Sequence, residues 1–200
     1  MSAQVPYWIA LLTPEERPFG TRRTDPFIDT VDCSVTTTTL TQWTGATHPA
    51  QETLLAVLAA TVGAWQSDRC RNTASGVLVD IEDTDGSYFP VRLPSVGSPS
   101  DLAAEVQRRI AATPGGGVDY VLARNAPVLS RRAGAQIAFG ELPTETDESL
   151  LHSLVVACEV SEIDGVAFVE TSFAWNSRVF SCADVDDFER FWEKTISTFA

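Results

Sequence analysis

Residues 154–175 read LVVACEVSEIDGVAFVETSFAW, two runs rich in Val, aromatic and β-branched residues on either side of Asp164-Gly165. An Asp-Gly pair between alternating apolar residues is a strong short-range hairpin signal, because the tight turn that matches strand twist needs positive φ at both central residues. Counting outward from a two-residue turn sets Val160 opposite Val169, Cys158 opposite Thr171, Val156 opposite Phe173 and Leu154 opposite Trp175. That face is apolar and should meet helices. Ala157, Glu159, Ser161, Glu170 and Ser172 fall on the other face, because side chains alternate along a strand.

The C-terminal segment, beyond the hairpin, supplies its cover. From Ala183 to Phe199, Val185, Phe188, Phe191, Trp192, Ile196 and Phe199 recur at steps of three and four, the signature of an amphipathic helix. Asp184, Asp186 and Asp187 in its first turn suit the positive end of the helix dipole. Upstream, the Thr- and Val-rich stretch from Ile28 to Trp43 predicts a strand. A helix begins near Thr47 or His48, with Pro49 in its first turn and His48 as a cap. Leu54, Leu55, Val57, Leu58, Thr61, Val62 and Trp65 make it apolar around much of its circumference, so it should lie deep in the core. Gly76–Asp83 (GVLVDIED) predicts a strand whose continuous apolar start suggests a central position. Tyr88–Leu93 (YFPVRL) predicts a short strand that Pro90 confines to an edge. Ser100 caps a further helix carrying Leu102, Val106 and Ile110 on one face, and Pro114-Gly-Gly-Gly117 stops it. A short helix over Val118–Arg124 and a strand over Gln136–Phe139 come next, then an exposed acidic loop, ELPTETDES. The pattern is α/β, a mixed β-sheet flanked by helices, with residues 1–27 as an N-terminal segment and connector and 28–200 as the main unit.

Bulk properties narrow the function. Two hundred residues are enough for one domain with a real core. The net charge of −13, from 27 acidic against 14 basic residues, argues against nucleic acid and against an anionic membrane surface. Cys33, Cys70, Cys158 and Cys182 are widely spaced and no pair has C-x-x-C spacing, so they read as free buried thiols in a reducing, cytoplasmic setting. No signal peptide or membrane-spanning run is expected. Trp43, Trp65, Trp175 and Trp192 read as core aromatics.

The order of short motifs resembles the second half of a condensation-superfamily domain of nonribosomal peptide synthesis, most closely its epimerization branch. Tyr7-Trp8 followed by Leu11 resembles the family's "YW…L" segment, and LLAVLAATVGAW (54–65) its long buried helix. VLVDIED (77–83) resembles "VDLEGHGR", and YFPVRL (88–93) resembles "MFPVRL". GGGVDYVLARN (115–125) resembles "GxGYGLLRY", AQIAF (135–139) resembles "PQISFNY", and FAWNSRVF (173–180) with the helix after it resembles the family's last strand and helix. The resemblance covers nearly the whole chain. It implies a chloramphenicol-acetyltransferase-like subdomain forming one wall of a substrate channel. Carrier-protein arms would enter that channel from its two ends, with the substrate on a phosphopantetheinyl carrier and no other cofactor.

Departures from the family pattern weigh as much as the matches. The family's catalytic signature, His-His-x-x-x-Asp-Gly, belongs to the other half. This chain has only His48 and His152, far apart, and His152 has no recognised nucleophile elbow near it. The tether after VLVDIED is shortened, and Gly140-Glu141 stands where epimerization domains show Asn-Tyr. Asp83-Thr-Asp85-Gly86 is no calcium loop: with Gly86 at the sixth position, Ile81 and Arg92 would occupy ligand positions that need oxygen. No metal site is expected.

Three acids remain as candidate catalytic residues. Glu82 matches the glutamate of "VDLEGHGR", an acid/base candidate that the resemblance implies; the alternative is an exposed acid starting a turn. Glu141 and Glu159 are weaker candidates. Glu159 would face Glu170 across the hairpin, so that one of the two would hold a proton if the pair were buried; otherwise both point to water. Two functions stay open. One is a non-catalytic or partner-requiring half that binds a synthetase module, a carrier protein, a separate N-terminal half or a second copy of itself. The other is a stand-alone enzyme acting on a carrier-tethered acyl or peptidyl thioester by epimerization, cyclisation or amide formation.

Overall fold

The computed structural model describes residues 4–71, 75–144 and 148–200. Six strands form one mixed sheet: β1 (Ser34–Trp43), β2 (Val77–Glu82), β3 (Tyr88–Leu93), β4 (Ile137–Phe139), β5 (Leu154–Ile163) and β6 (Val166–Asn176), in the order β1-β6-β5-β4-β2-β3. The β5–β6 hairpin turns at Asp164 (φ 53°) and Gly165 (φ 77°), both left-handed, as an Asp-Gly turn of this kind requires. Its register is the one counted from the sequence, from Leu154 opposite Trp175 to Ile163 opposite Val166. β1 adds antiparallel to β6 along the whole hairpin, and β4 runs parallel to both β5 and β2. β3 closes the far edge, where Pro90 pairs with Asp80 on one side and needs no donor on the other.

Helices α2 (Gln51–Asp68) and α6 (Cys182–Phe199) lie side by side on one face of the sheet. Trp175 meets Phe188 at 5.0 Å and Phe180 at 5.1 Å between ring centroids, both edge-on, and Phe173 meets Trp192 at 5.5 Å. Edge-to-face pairs of this kind contribute about 0.5–1.5 kcal/mol beyond the area they bury. Leu55, Leu58, Val62 and Trp65 carry α2 into the same cluster. α1 (Val5–Leu11), α3 (Pro99–Ala111), α4 (Tyr120–Arg124) and α5 (Pro127–Ser130) gather at the β3 end. Val5, Trp8, Leu12 and Phe19 are buried in this core, with Trp8 against Tyr120 and Phe19 against Trp65.

Several expectations are corrected. The strand predicted from Ile28 starts at Ser34, because Asp29 folds back: the amides of Ile28 and Asp29 both bond the carbonyl of Asp25, and a 3₁₀ turn spans Val31–Cys33. Phe27 and Ile28 are left exposed. α2 begins at Gln51, with Ala50 at the cap position and no side-chain cap; His48 lies 3.5 Å from Glu162 instead. The cap of α3 is Ser98, which accepts the amide of Asp101, and Pro99 takes the first helical position. The short helix begins at Tyr120, after Gly115, Gly116 and Gly117 in left-handed conformations. Cys33 is buried and Cys158 half-buried, but Cys70 and Cys182 are exposed, each at a helix end. Trp43, Trp65, Trp175 and Trp192 are core residues, as is Trp8, the most exposed of the five being Trp43 at 7%.

Candidate functional site

Strand alternation divides the sheet into two surfaces. Val79, Ile81, Ile137, Phe139, Leu154, Val156, Phe173 and Trp175 face the helices. The other surface carries Asp80, Glu82, Tyr88, Ala138, Val155, Ala157, Glu159, Glu170, Ser172 and Ala174, and no helix layer covers it among the described residues. Ala138, Val155 and Ala174 form a small apolar island there, touched by Tyr88 and Leu142.

A depression of about 890 Å³ opens on this surface and around its rim. Glu82, Glu141, Glu159 and Glu170 all border it, so the three sequence-derived candidates do come together. Glu82 ends β2 half-buried. Its Oε2 accepts the backbone amide of Glu141 and, at 3.4 Å, the hydroxyl of Tyr88. A Cβ at position 140 would overlap the Glu82 carboxylate, so Gly140 is what allows this close approach. Gly140-Glu141, which departs from the family pattern, is therefore the segment that seats Glu82. Among the described residues no donor meets the second oxygen, Oε1. Burial, reinforced by the neighbouring Glu82 carboxylate, raises the Tyr88 phenol above its ordinary value, so Tyr88 stays a donor.

Glu159 and Glu170 do pair across the hairpin, and both are exposed and point to water. Cys158 also borders the depression, but burial pushes its thiol up to about 12; it is no thiolate nucleophile near neutral pH.

Sequence reasoning missed a second pair. His152, 7% exposed, sits just before β5, and its Nε2 lies 2.8 Å from Oδ2 of Asp80 in the middle of β2. The Tyr88 ring lies tilted against His152 at 5.3 Å between centroids, and Glu82, Tyr88 and His152 together border a smaller depression of about 220 Å³. The pair lines a different cavity, of about 400 Å³, at the β3 end of the same surface. The available signal was Asp80 itself, an acid inside the apolar run GVLVDIED; a central-strand position implies that such an acid has a partner. Among the described residues no cluster of His, Cys, Asp and Glu suits a metal ion, and no helix is long and apolar enough to cross a membrane.

No protein-family model matches the chain, and no curated protein matches its sequence. Solved structures do match. The epimerization domain from the third module of tyrocidine synthetase B superposes with a TM-score of 0.66 at 14% identity, covering 98% of this chain and 54% of that one. The X-domain from teicoplanin biosynthesis gives a TM-score of 0.67 at 13% identity, covering 98% and 54%. The chain has the fold of half a condensation/epimerization-type domain. A chloramphenicol acetyltransferase matches with a TM-score of 0.53 at 14% identity over 96% of this chain and 95% of that one, which makes the half-domain an acetyltransferase-like unit. The half-domain spans about half the length of the epimerization-domain and X-domain chains it resembles.

Proposed function

We propose that the half-domain is the C-terminal wall of a condensation/epimerization-type site in nonribosomal peptide synthesis, and that it works as a partner-requiring binding half. The observation that carries this reading is the uncovered sheet surface with the Glu82 depression on it. A surface bearing an apolar island, a seated carboxylate and a raised-pKa phenol, but no second layer, fits a channel wall better than a closed active site. The motif order supports the C-terminal assignment. The opposing wall would bring the histidine signature, on a separate polypeptide or on the same one, and a carrier protein would deliver the thioester. The soluble, cytoplasmic setting expected from the sequence belongs to the same proposal.

A second reading rests on Glu82. With Oε2 held by the Glu141 amide and Tyr88, Oε1 is free to take the α-proton of a thioester-bound residue, leaving an enolate. An acid on the opposite wall would return a proton to the other side of the carbon. This step needs no metal or redox partner.

The test mixes the half-domain with an N-terminal half carrying the histidine signature and reads association by light scattering after size exclusion. Turnover of an aminoacyl thioester is followed by chiral analysis. A one-to-one complex, with activity absent from either half alone, is the expected result. Glu82→Gln should leave the complex intact and remove epimerization if Glu82 is the base; unchanged turnover eliminates that role. A clean monomer that binds neither half nor carrier overturns the partner-requiring reading, and so does full turnover by the half-domain alone.

A further inference from the structure

The cavity beyond Tyr88 differs in charge from everything around it. Arg23, Arg124 and Arg132 line it, together with the Asp80–His152 pair and the rings of Tyr88 and Tyr120. One carboxylate lines it as well: Asp80 meets His152 through Oδ2, while its Oδ1 is buried without a partner among the described residues. Among the described residues no carboxylate lies within 4.0 Å of any of these three guanidiniums; the same holds for Arg17, Arg71 and Arg131, whereas Arg22, Arg69, Arg92, Arg108, Arg109, Arg178 and Arg190 each have one. Glu16 feels the charge of Arg23 but places its carboxylate on the Leu78 amide and 3.5 Å from Arg92.

The three arginines bond only neutral oxygens. Arg23 donates to the carbonyls of Glu16 and Gly134, and Arg124 to those of Leu129 and Arg132. Arg132 donates to the Thr13 hydroxyl, and its Nε is buried without a partner. All three side chains are half-buried. Partly desolvating three cations around one cavity is unfavourable unless an anion joins them, and the guanidinium fork suits carboxylate and phosphate oxygens. Tyr88, Tyr120, Leu151 and Pro26 give the lining its aromatic and apolar part, and Thr24, Gln136 and Ser153 add neutral polar groups. A volume of about 400 Å³ falls within the usual range for small-molecule sites.

We propose that this cavity is a binding site for a small organic oxyanion, a carboxylate or phosphate ester with a flat or apolar body, separate from the Glu82 depression. The oxyanion sits among Arg124, Arg132 and Arg23, and the body rests against Tyr88 and Tyr120. His152, fixed by Asp80 at Nε2, offers its other ring nitrogen as a hydrogen-bonding contact. The site does not depend on the channel-wall function.

The test titrates the protein with benzoate, phenyl phosphate and inorganic phosphate, with benzamide as the uncharged match to benzoate. Binding is read by calorimetry and by the histidine ring signals in NMR, where only His48 and His152 contribute. The expected result is saturable binding of benzoate or phenyl phosphate that shifts the His152 signals, leaves those of His48 in place and weakens as salt is raised. Arg132→Met should lower the affinity about tenfold or more, the scale of one lost charge-assisted bond, with an unchanged melting temperature. Should that variant unfold, Arg124→Lys, which keeps the charge and loses the fork, takes its place with the same expectation. Benzamide binding as well as benzoate overturns the proposal, as does inorganic phosphate binding alone, affinity untouched in both variants, or no saturation by either organic anion.

Discussion

The two faces of one sheet were built by opposite rules. On the helix side, Phe173, Trp175, Val156 and Leu154 are all but inaccessible and interlock with Phe188 and Trp192. One residue along each strand, on the other side, Ser172, Ala157, Glu159 and Glu170 are half-buried or exposed. The hairpin thus presents stability on one surface and chemistry on the other, and the period of two keeps them from interfering. Substitutions on the helix side should be expensive and those on the open side cheap. A protein that gave equal costs on both would have a second layer over the open face.

The largest contrast is expected at adjacent positions. Phe173→Ala empties a fully buried site packed by Trp192 and Phe188, and should lower unfolding free energy by about 3–5 kcal/mol. Its neighbour Ser172→Ala removes one hydroxyl contact with Thr38 on the open face and should stay within about 0.5 kcal/mol. Urea denaturation of the two variants measures both. A loss above about 2 kcal/mol at Ser172 would mean that the open face is packed in solution.

An intermediate cost is expected where the open face is closed off at one end. Asp29 is fully inaccessible and accepts two bonds from Arg22, at 2.6 and 2.7 Å, and one from the Asp25 amide. It ties residues 22–30 beside the ends of β5 and β6, where Thr24 also meets Ser153 and Asn176. The Arg22 guanidinium holds the Asp29 carboxyl well below its ordinary value of 3.8, outweighing burial, which alone would raise it. The folded-state value is depressed, so the ion pair contributes fully above the unfolded value and its contribution is lost as the pH falls below it. Asp29→Asn should cost about 2–3 kcal/mol at neutral pH, with the difference from wild type shrinking in acid. Denaturation at pH 7 and at lower pH checks the sign; a gap that widens on acidification contradicts it.

Much of this was legible because it is local. Asp164-Gly165 fixes turn, register and facing without help from the rest of the chain, and Pro90 marks the edge strand for a reason internal to the peptide unit. The Glu82–Glu141–Glu159 grouping was legible in parts, as one acid ending a strand, one after a strand and one within the hairpin, but the seat of Glu82 depends on Gly140 approaching from just beyond β4. The Asp80–His152 pair and the arginine-lined cavity were not legible. Their members lie 72 residues apart in the first case, and in the second come from the connector, the α4 helix and the loop before β4. No periodicity records a contact that only a parallel crossover creates. The strand start at Ile28 failed for a related reason: β propensity in the Thr-rich run gave way to a local turn sealed by a buried carboxylate.

The smallest effect tests the open face most finely. Glu159 and Glu170 stand opposite each other near the exposed end of the hairpin, and Leu40 of β1, 58% exposed, continues the same row. Directly opposed like charges weaken a strand pair, by less in water than in a buried setting. Glu170→Gln removes the repulsion without changing shape, so it should stabilise the isolated protein by about 0.2–1 kcal/mol, and the gain should fade in high salt. A loss of stability, or a gain indifferent to salt, would show that the carboxylate is held by something other than solvent. If the open face is a channel wall, the same substitution acts a second time, on docking. A variant that gains stability alone but associates more weakly with an opposing half would show that the paired charges serve the missing layer, whereas unchanged association would confine them to the rim.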